Sequence, residues 1–172
     1  GEEQYRWLSQ TLAASTARFK FVFAHHVNGT GRGGVELAGL YEWGGHSPGG
    51  AFEFDTRRPG WESPIHQLFA QTGVTIFFQG HDHIFARQEL DGVIYQTLPE
   101  PANPFYSWEN ADSYRSGDRL PNSGSLRVTV SPDQVLVEYI RAVLPQDESP
   151  GNLNGSVAIS YTVGSGQALP AA

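Results

Sequence analysis

The 172-residue sequence has no cysteine, so disulfides and thiolate metal sites are excluded. Any bound metal must be held by His, Asp, Glu, Asn or backbone oxygens. There is no methionine either, even at position 1, from which we expect the chain to begin inside a longer product or after processing. Charge is sparse: 17% of residues, with 11 Lys+Arg against 18 Asp+Glu for a net charge of -7. The basic residues are scattered, which leaves no footprint for a nucleic-acid backbone. The longest apolar stretches, Phe21 to Ala24 and Val74 to Phe78, fall far short of the ~20 residues that cross a bilayer. No basic leader followed by an apolar run opens the chain, so no membrane partner is expected. What remains is 39% apolar, with 10 Phe, 7 Tyr and 4 Trp. That balance belongs to a folded globular chain rather than to disorder or a coiled coil. The length is close to one domain per ~150 residues, and residues 1–172 read as a single domain.

Gln4 to Ala17 places Tyr5, Leu8, Leu12 and Ala13 at helical spacing, the pattern of a helix with one buried stripe. Phe19 to Ala24 is aromatic and β-branched and reads as a strand buried on most of its length. From Val27 to Pro59 comes a segment with nine Gly, two Pro and no sustained period, far longer than the usual connection of ~4–6 residues. Ser63 and Pro64 suit the start of a second helix, with Ser63 as a cap and a stop at Gly73, and Val74 to Phe78 follows as a second buried strand. Two helix-then-strand units in succession predict parallel neighbouring strands in an α/β sheet. The texture then becomes pure β. A hairpin turning at Asp91-Gly92 is expected over Ile84 to Leu98, and alternating strands over Leu126–Val130, Val135–Ile140 and Val157–Val163. Pro99 to Ser125 reads as a polar and aromatic loop, and the Ala168–Ala172 tail as frayed.

Four of the six histidines stand at strand ends: His25 and His26 after the first strand, His81 and His83 after the second. Ligands bind outside the carboxyl ends of parallel strands, and neighbouring strands lie ~4.8 Å apart, so the two clusters should converge on one spot. Imidazoles from both could share a metal. In an extended turn His81 and His83 would point the same way, with Gly80 letting the backbone bend and Asp82 pointing elsewhere as a supporting acceptor. His25, His81 and His83 are the candidate metal residues. His26 reads either as a supporting group or as a candidate catalytic residue facing substrate. His46, in the Gly-rich loop, is a second catalytic candidate, evenly balanced against an ordinary surface role. His66, on a helix flank, reads as structural.

Gly80-His81-Asp82-His83 after an apolar strand, preceded by a strand ending in His25, resembles the last two metal motifs of the calcineurin-like metallophosphoesterases, which include the purple acid phosphatases. The opening Gln4-Tyr5-Arg6-Trp7-Leu8 helix is similar to the segment ahead of the first of these motifs. The resemblance implies an α/β fold: part of a β-sandwich flanked by helices, with a mixed sheet and a β-rich C-terminal region. It further implies a pair of divalent or trivalent metal ions at strand ends, with His25 and His81 matching ligands of one and His83 a ligand of the other. Neutral imidazoles suit Zn, Fe, Mn or Ni. Val27 stands where the family often has Pro, and the family's earlier motifs, Asp-x-His, Gly-Asp-x-x-Asp and Gly-Asn-His, are absent. The chain therefore resembles the C-terminal half of such an enzyme. The upstream half of the same protein is its expected partner, and without it we expect inactivity and association through exposed sheet edges. By the same analogy a secreted or periplasmic location fits.

The implied activity is hydrolysis of a phosphoester substrate, a monoester, diester or nucleotide. Substrate selection is expected in the long loop, where Asn28, Arg32, Tyr41, Glu42, Trp43 and His46 include phosphate donors and aromatic surfaces. The same loop also reads as a cover ordered by Tyr41 and Trp43. A different class of function stands beside the enzyme: a β-rich binding or interaction module with incidental histidines, using Phe105, Tyr106, Trp108 and Tyr114 as its contact surface.

Overall fold

The computed structural model describes residues 1–164, so the Ala168–Ala172 tail lies outside the described residues. Helix α1, Glu2–Ala14, buries Tyr5 and Leu12, two turns apart on one face. Strand β1, Phe21–Ala24, follows. The long loop holds two short helices, α2 (Tyr41–Gly44) and α3 (Phe54–Arg57). Helix α4, Ile65–Thr72, then leads into β2, Ile76–Gln79. The α4 cap is Pro64 rather than Ser63. Ser63 is occupied otherwise: the Tyr5 hydroxyl donates to its carbonyl at 2.8 Å and accepts from its amide at 3.0 Å. Gly73, at φ +69°, closes α4 as expected, because the left-handed cap there suits a residue without Cβ.

Strands β3 (Phe85–Leu90) and β4 (Val93–Thr97) form the expected hairpin, with Asp91 and Gly92 at φ 48° and 77°, the two positive values that a primed turn needs. The loop after β4 contains an unexpected short strand, β5, Asp118–Leu120. The last three strands are β6 (Gly124–Val130), β7 (Gln134–Arg141) and β8 (Val157–Gly164). They make an antiparallel sheet, while the others make a mixed five-stranded sheet in the order β1-β2-β4-β3-β5. In it β1, β2 and β4 are mutually parallel, so β4 is more than a hairpin arm.

Period-two alternation sorts the side chains into layers. Phe77, Val93 and Tyr95 face the helices, packing with Tyr5, Leu12, Trp43, Leu68 and Phe69. Ile76, Phe78 and Ile94 face the second sheet and meet Val135, Val137 and Val163. Each fully buried aliphatic or aromatic side chain contributes about 1.5–3 kcal/mol. The result is the expected architecture: two sheets face to face, with helices on one outer side.

Strand β1 departs from expectation. It is the edge of the five-stranded sheet, paired with β2 on one side only, and the second half of the strand is exposed. Phe23 is 69% exposed although its ring stacks on Phe78 at 4.9 Å, and Trp7 on α1 is 62% exposed. Apolar residues of this kind fit a central strand, and this one lacks a second neighbour among the described residues. No helix among them is long and apolar enough to cross a membrane.

Candidate functional site

The parallel register pairs Ala24 with Gln79, so the residues leaving both strands start level. The Gly80 amide donates to the His25 carbonyl at 3.0 Å, carrying the pairing one step past the sheet. A Cβ on Gly80 would stand 3.3 Å from that carbonyl and 3.5 Å from His25 Nδ1, so glycine permits the close approach of the two ends. His81 then turns sharply, at φ +68°, a left-handed conformation that a residue with a Cβ adopts at a cost of roughly 1–2 kcal/mol. Its ring lies 5.5 Å from that of His25 and is stacked 4.7 Å from that of His26, and the rings of His25 and His26 are 5.2 Å apart. The expected convergence of the two strand ends is present for these three.

His83 does not join them through an extended turn. The Asp82 amide donates to the Gly80 carbonyl at 2.8 Å and the Ile84 amide to the Asp82 carbonyl at 3.0 Å, so the backbone doubles back on both sides of Asp82. His83 Nδ1 faces two carboxylates instead, 3.3 Å from Glu100 and 3.5 Å from Glu109. Asp82 does point elsewhere, though not toward an imidazole. Fully buried, its carboxylate accepts from Arg32 Nη1 at 2.9 Å, from the Gly33 amide at 2.7 Å and from the Tyr114 hydroxyl at 3.0 Å. Arg32 also donates to the His81 carbonyl at 2.9 Å, which holds a cation beside the imidazole cluster. Partial desolvation first, then Arg32 and the neighbouring His26 and His25, hold His81 below the ordinary imidazole range against the opposing pull of Asp82.

A hydrogen-bonded chain runs beneath the cluster. Gln79 accepts from the Asn28 amide at 3.2 Å and donates to Thr97 Oγ1 at 2.8 Å, and Thr97 donates in turn to the Tyr114 hydroxyl at 3.1 Å. Burial, with the nearby Asp82 carboxylate, pushes the Tyr114 phenol far up, so it stays a neutral donor. Asn28 is wholly buried and its side-chain amide has no partner, which removes it from the candidate phosphate donors. Tyr114 likewise leaves the proposed contact surface, being 1% exposed. Tyr106 is tied to Asp147 and to the Leu144 amide, while Phe105 and Trp108 stay exposed.

His46 is placed apart. Its Nδ1 lies 3.2 and 3.0 Å from the Gly39 and Gly44 carbonyls and its ring packs on Phe52, all within the long loop. It lines a cleft of about 300 Å³ with Tyr41, Glu42, Arg57 and Arg58, and none of the clustered histidines lines it. Trp43 is core. His66 is structural as expected, buried between the Tyr95 hydroxyl at 2.6 Å and Asp91 at 2.9 Å.

The donor chemistry fits a metal in kind, with imidazoles gathered at neighbouring strand ends. It falls short in number. Among the described residues no group of three or more His, Asp or Glu side chains is arranged to hold an ion. Two carboxylates at the site, Glu100 and Glu109, belong to the segment whose sequence reads only as a polar and aromatic loop. The signal for Glu100 is topological: it stands three residues past the carboxyl end of β4, the third parallel strand.

No family model and no curated protein matches the sequence. Solved structures do. A purple acid phosphatase isolated from yellow lupin (Lupinus luteus) seeds superposes with a TM-score of 0.55 at 18% identity, over 94% of this chain and 28% of that one. GAP50, the anchor in the inner membrane complex of Plasmodium, superposes with a TM-score of 0.56 at 12% identity, over 95% of this chain and 42% of that one. The fold resembles that of a purple acid phosphatase and that of GAP50. At these identities the likeness is one of fold, and the chain spans less than half the length of either neighbour.

Proposed function

We propose that this chain is the C-terminal, histidine-bearing portion of the catalytic domain of a metal-dependent phosphoester hydrolase. The observation that carries the reading is the gathering of His25, His26 and His81 at the carboxyl ends of parallel β1 and β2, in a fold shared with a purple acid phosphatase. His25, His81 and His83 would hold the metal ions, and the carboxylates that complete the set come from the upstream half of the protein. When bound, such ions supply Lewis-acid polarisation of the phosphoryl group and a more acidic water. His26, stacked on His81 and exposed, faces substrate and holds a proton for the leaving oxygen. Arg32, anchored on the His81 carbonyl and Asp82, adds positive charge for phosphoryl oxygens. His46 contacts the portion of substrate that does not react, in its own cleft with Tyr41 and Arg58.

The open edge of β1 supports the half-domain reading, with Phe23 and Trp7 covered in the whole protein by the upstream half. The 172 residues alone are then inactive. Hydrolysis of a generic aryl phosphate ester by the longer polypeptide, abolished in His81→Ala, tests the proposal.

A second reading is favoured by the equally good superposition on GAP50, an anchor protein, and by the lack of a complete metal-holding group among the described residues. On that reading the domain is a binding module, with exposed Phe105 and Trp108 as contacts. Full solubility and folding but no turnover or metal in the longer polypeptide would select it.

A further inference from the structure

Three parallel strands end at the same edge of the sheet, and each delivers a group of its own. Strand β1 delivers His25 and His26, β2 delivers His81 and His83, and β4 delivers Glu100. The Leu98 amide donates to the Gln79 carbonyl at 2.8 Å, which carries the β2–β4 pairing past the end of β4 and fixes where Glu100 begins. Glu100 is then pinned from several sides. Its amide donates to Asn122 Oδ1 at 2.7 Å, its carbonyl accepts from Ser123 Oγ at 3.1 Å, and its carboxylate accepts from Asn103 Nδ2 at 3.2 Å. Asn122 is itself fully buried. A glutamate held in this way is no free surface side chain, and its carboxylate lies 3.3 Å from His83 Nδ1. Glu109, from the same loop, approaches the same ring nitrogen at 3.5 Å.

We propose that Glu100, supported by Glu109, is a positioning residue for His83: the two carboxylates keep the ring proton on Nδ1 and leave Nε2 as the lone-pair nitrogen. A neutral imidazole has one donor and one acceptor nitrogen, and a carboxylate can only accept, so a ring facing carboxylates through Nδ1 places its proton there. A ligating histidine needs its free nitrogen fixed in this way, since a ring that exchanges tautomers and rotates presents its lone pair only part of the time. The role of His83 as a ligand rests on the function proposed above. The orientation of its ring by Glu100 does not.

The test uses the full-length protein, labelled with ¹⁵N-histidine, metal-free and at pH 8.5, well above the ordinary imidazole range. Long-range ¹H–¹⁵N correlation assigns the tautomer of His83, identified by its loss in His83→Ala. Wild type should show the Nδ1–H form. The double variant Glu100→Gln, Glu109→Gln should shift His83 to a mixture or to Nε2–H, with the signals of His25, His46 and His66 unmoved as a check on folding. An Nε2–H tautomer in wild type, or the same tautomer in wild type and double variant, overturns the proposal. Zinc affinity by chelator competition separates the two readings. A loss of about 10- to 100-fold in the double variant, in the range measured for supporting partners of ligating histidines, extends the role to metal binding. Unchanged affinity in His83→Ala would sink the ligand assignment and leave the ring orientation standing.

Discussion

The amide of Gly80 donates to the carbonyl of His25 at 3.0 Å, and through this contact two segments far apart in sequence become one site. The residue that allows it has no side chain, and the space for one is filled by His25 itself. Gly80→Ala should therefore cost about 1 kcal/mol, as the methyl presses on a carbonyl at 3.3 Å, and Gly80→Val more. Thermal melts measure the cost, and changed His25 ring signals locate it. A variant as stable as wild type with unmoved His25 signals would show that the approach is looser than described.

Asp82 is the buried keystone of the turn between His81 and His83. Asp82→Ala leaves the Gly33 amide and the Tyr114 hydroxyl without their acceptor and Arg32 without its partner. We expect a loss of about 3 kcal/mol by urea denaturation, against about 1 kcal/mol for Tyr114→Phe. The double variant should lose less than the sum, because both remove the same hydrogen bond. Strict additivity would contradict the pairing.

Acid sensitivity should trace in part to Glu36. Its partial burial opposes ionisation but is outweighed by hydrogen bonds from its own amide, Gln88, the Arg115 amide and Ser116, so its pKa lies below the ordinary glutamate value. A group whose folded pKa is depressed contributes stability above its unfolded pKa, ~4.3, and loses it as pH falls through the folded value. Glu36→Gln should lower stability at pH 7 and flatten its fall below about pH 4.3. Parallel pH–stability curves for variant and wild type would rule this out.

If the exposed β1 edge is covered by a neighbour in the longer protein, the 172-residue chain should associate through it. Sedimentation should show oligomers growing with concentration, and Phe23→Lys should reduce them, since a charge on an edge strand opposes pairing. A wild-type chain that stays monomeric at high concentration would contradict the idea that this edge lacks its neighbour.

Much of this arrangement was legible in residue patterns. Asp91-Gly92 announced its hairpin and Gly73 its helix end, because both positions demand positive φ. Paired helix-strand units foretold the parallel β1–β2 ladder and hence the meeting of His25 with His81. What stayed hidden was set by tertiary context. The apolar residues of β1 read as buried, yet burial requires a neighbour that the described residues do not contain. The three residues of β5 are too few and too polar to show a period. The orientation of His83 depends on the left-handed turn at His81 and on glutamates from a loop whose position follows from β4 lying parallel to β2, which no local pattern encodes. Tyr114 looked like a surface aromatic because nothing nearby in sequence reveals Asp82 as its partner.

The most direct measurement is metal content together with aryl-phosphate hydrolysis by the longer polypeptide, in wild type and in His81→Ala. The account predicts two bound ions and turnover in wild type, with loss of metal and nearly all turnover in the variant, because a missing ligand opens the coordination sphere. A variant that keeps full metal content and full activity, or a wild type with neither, would contradict it.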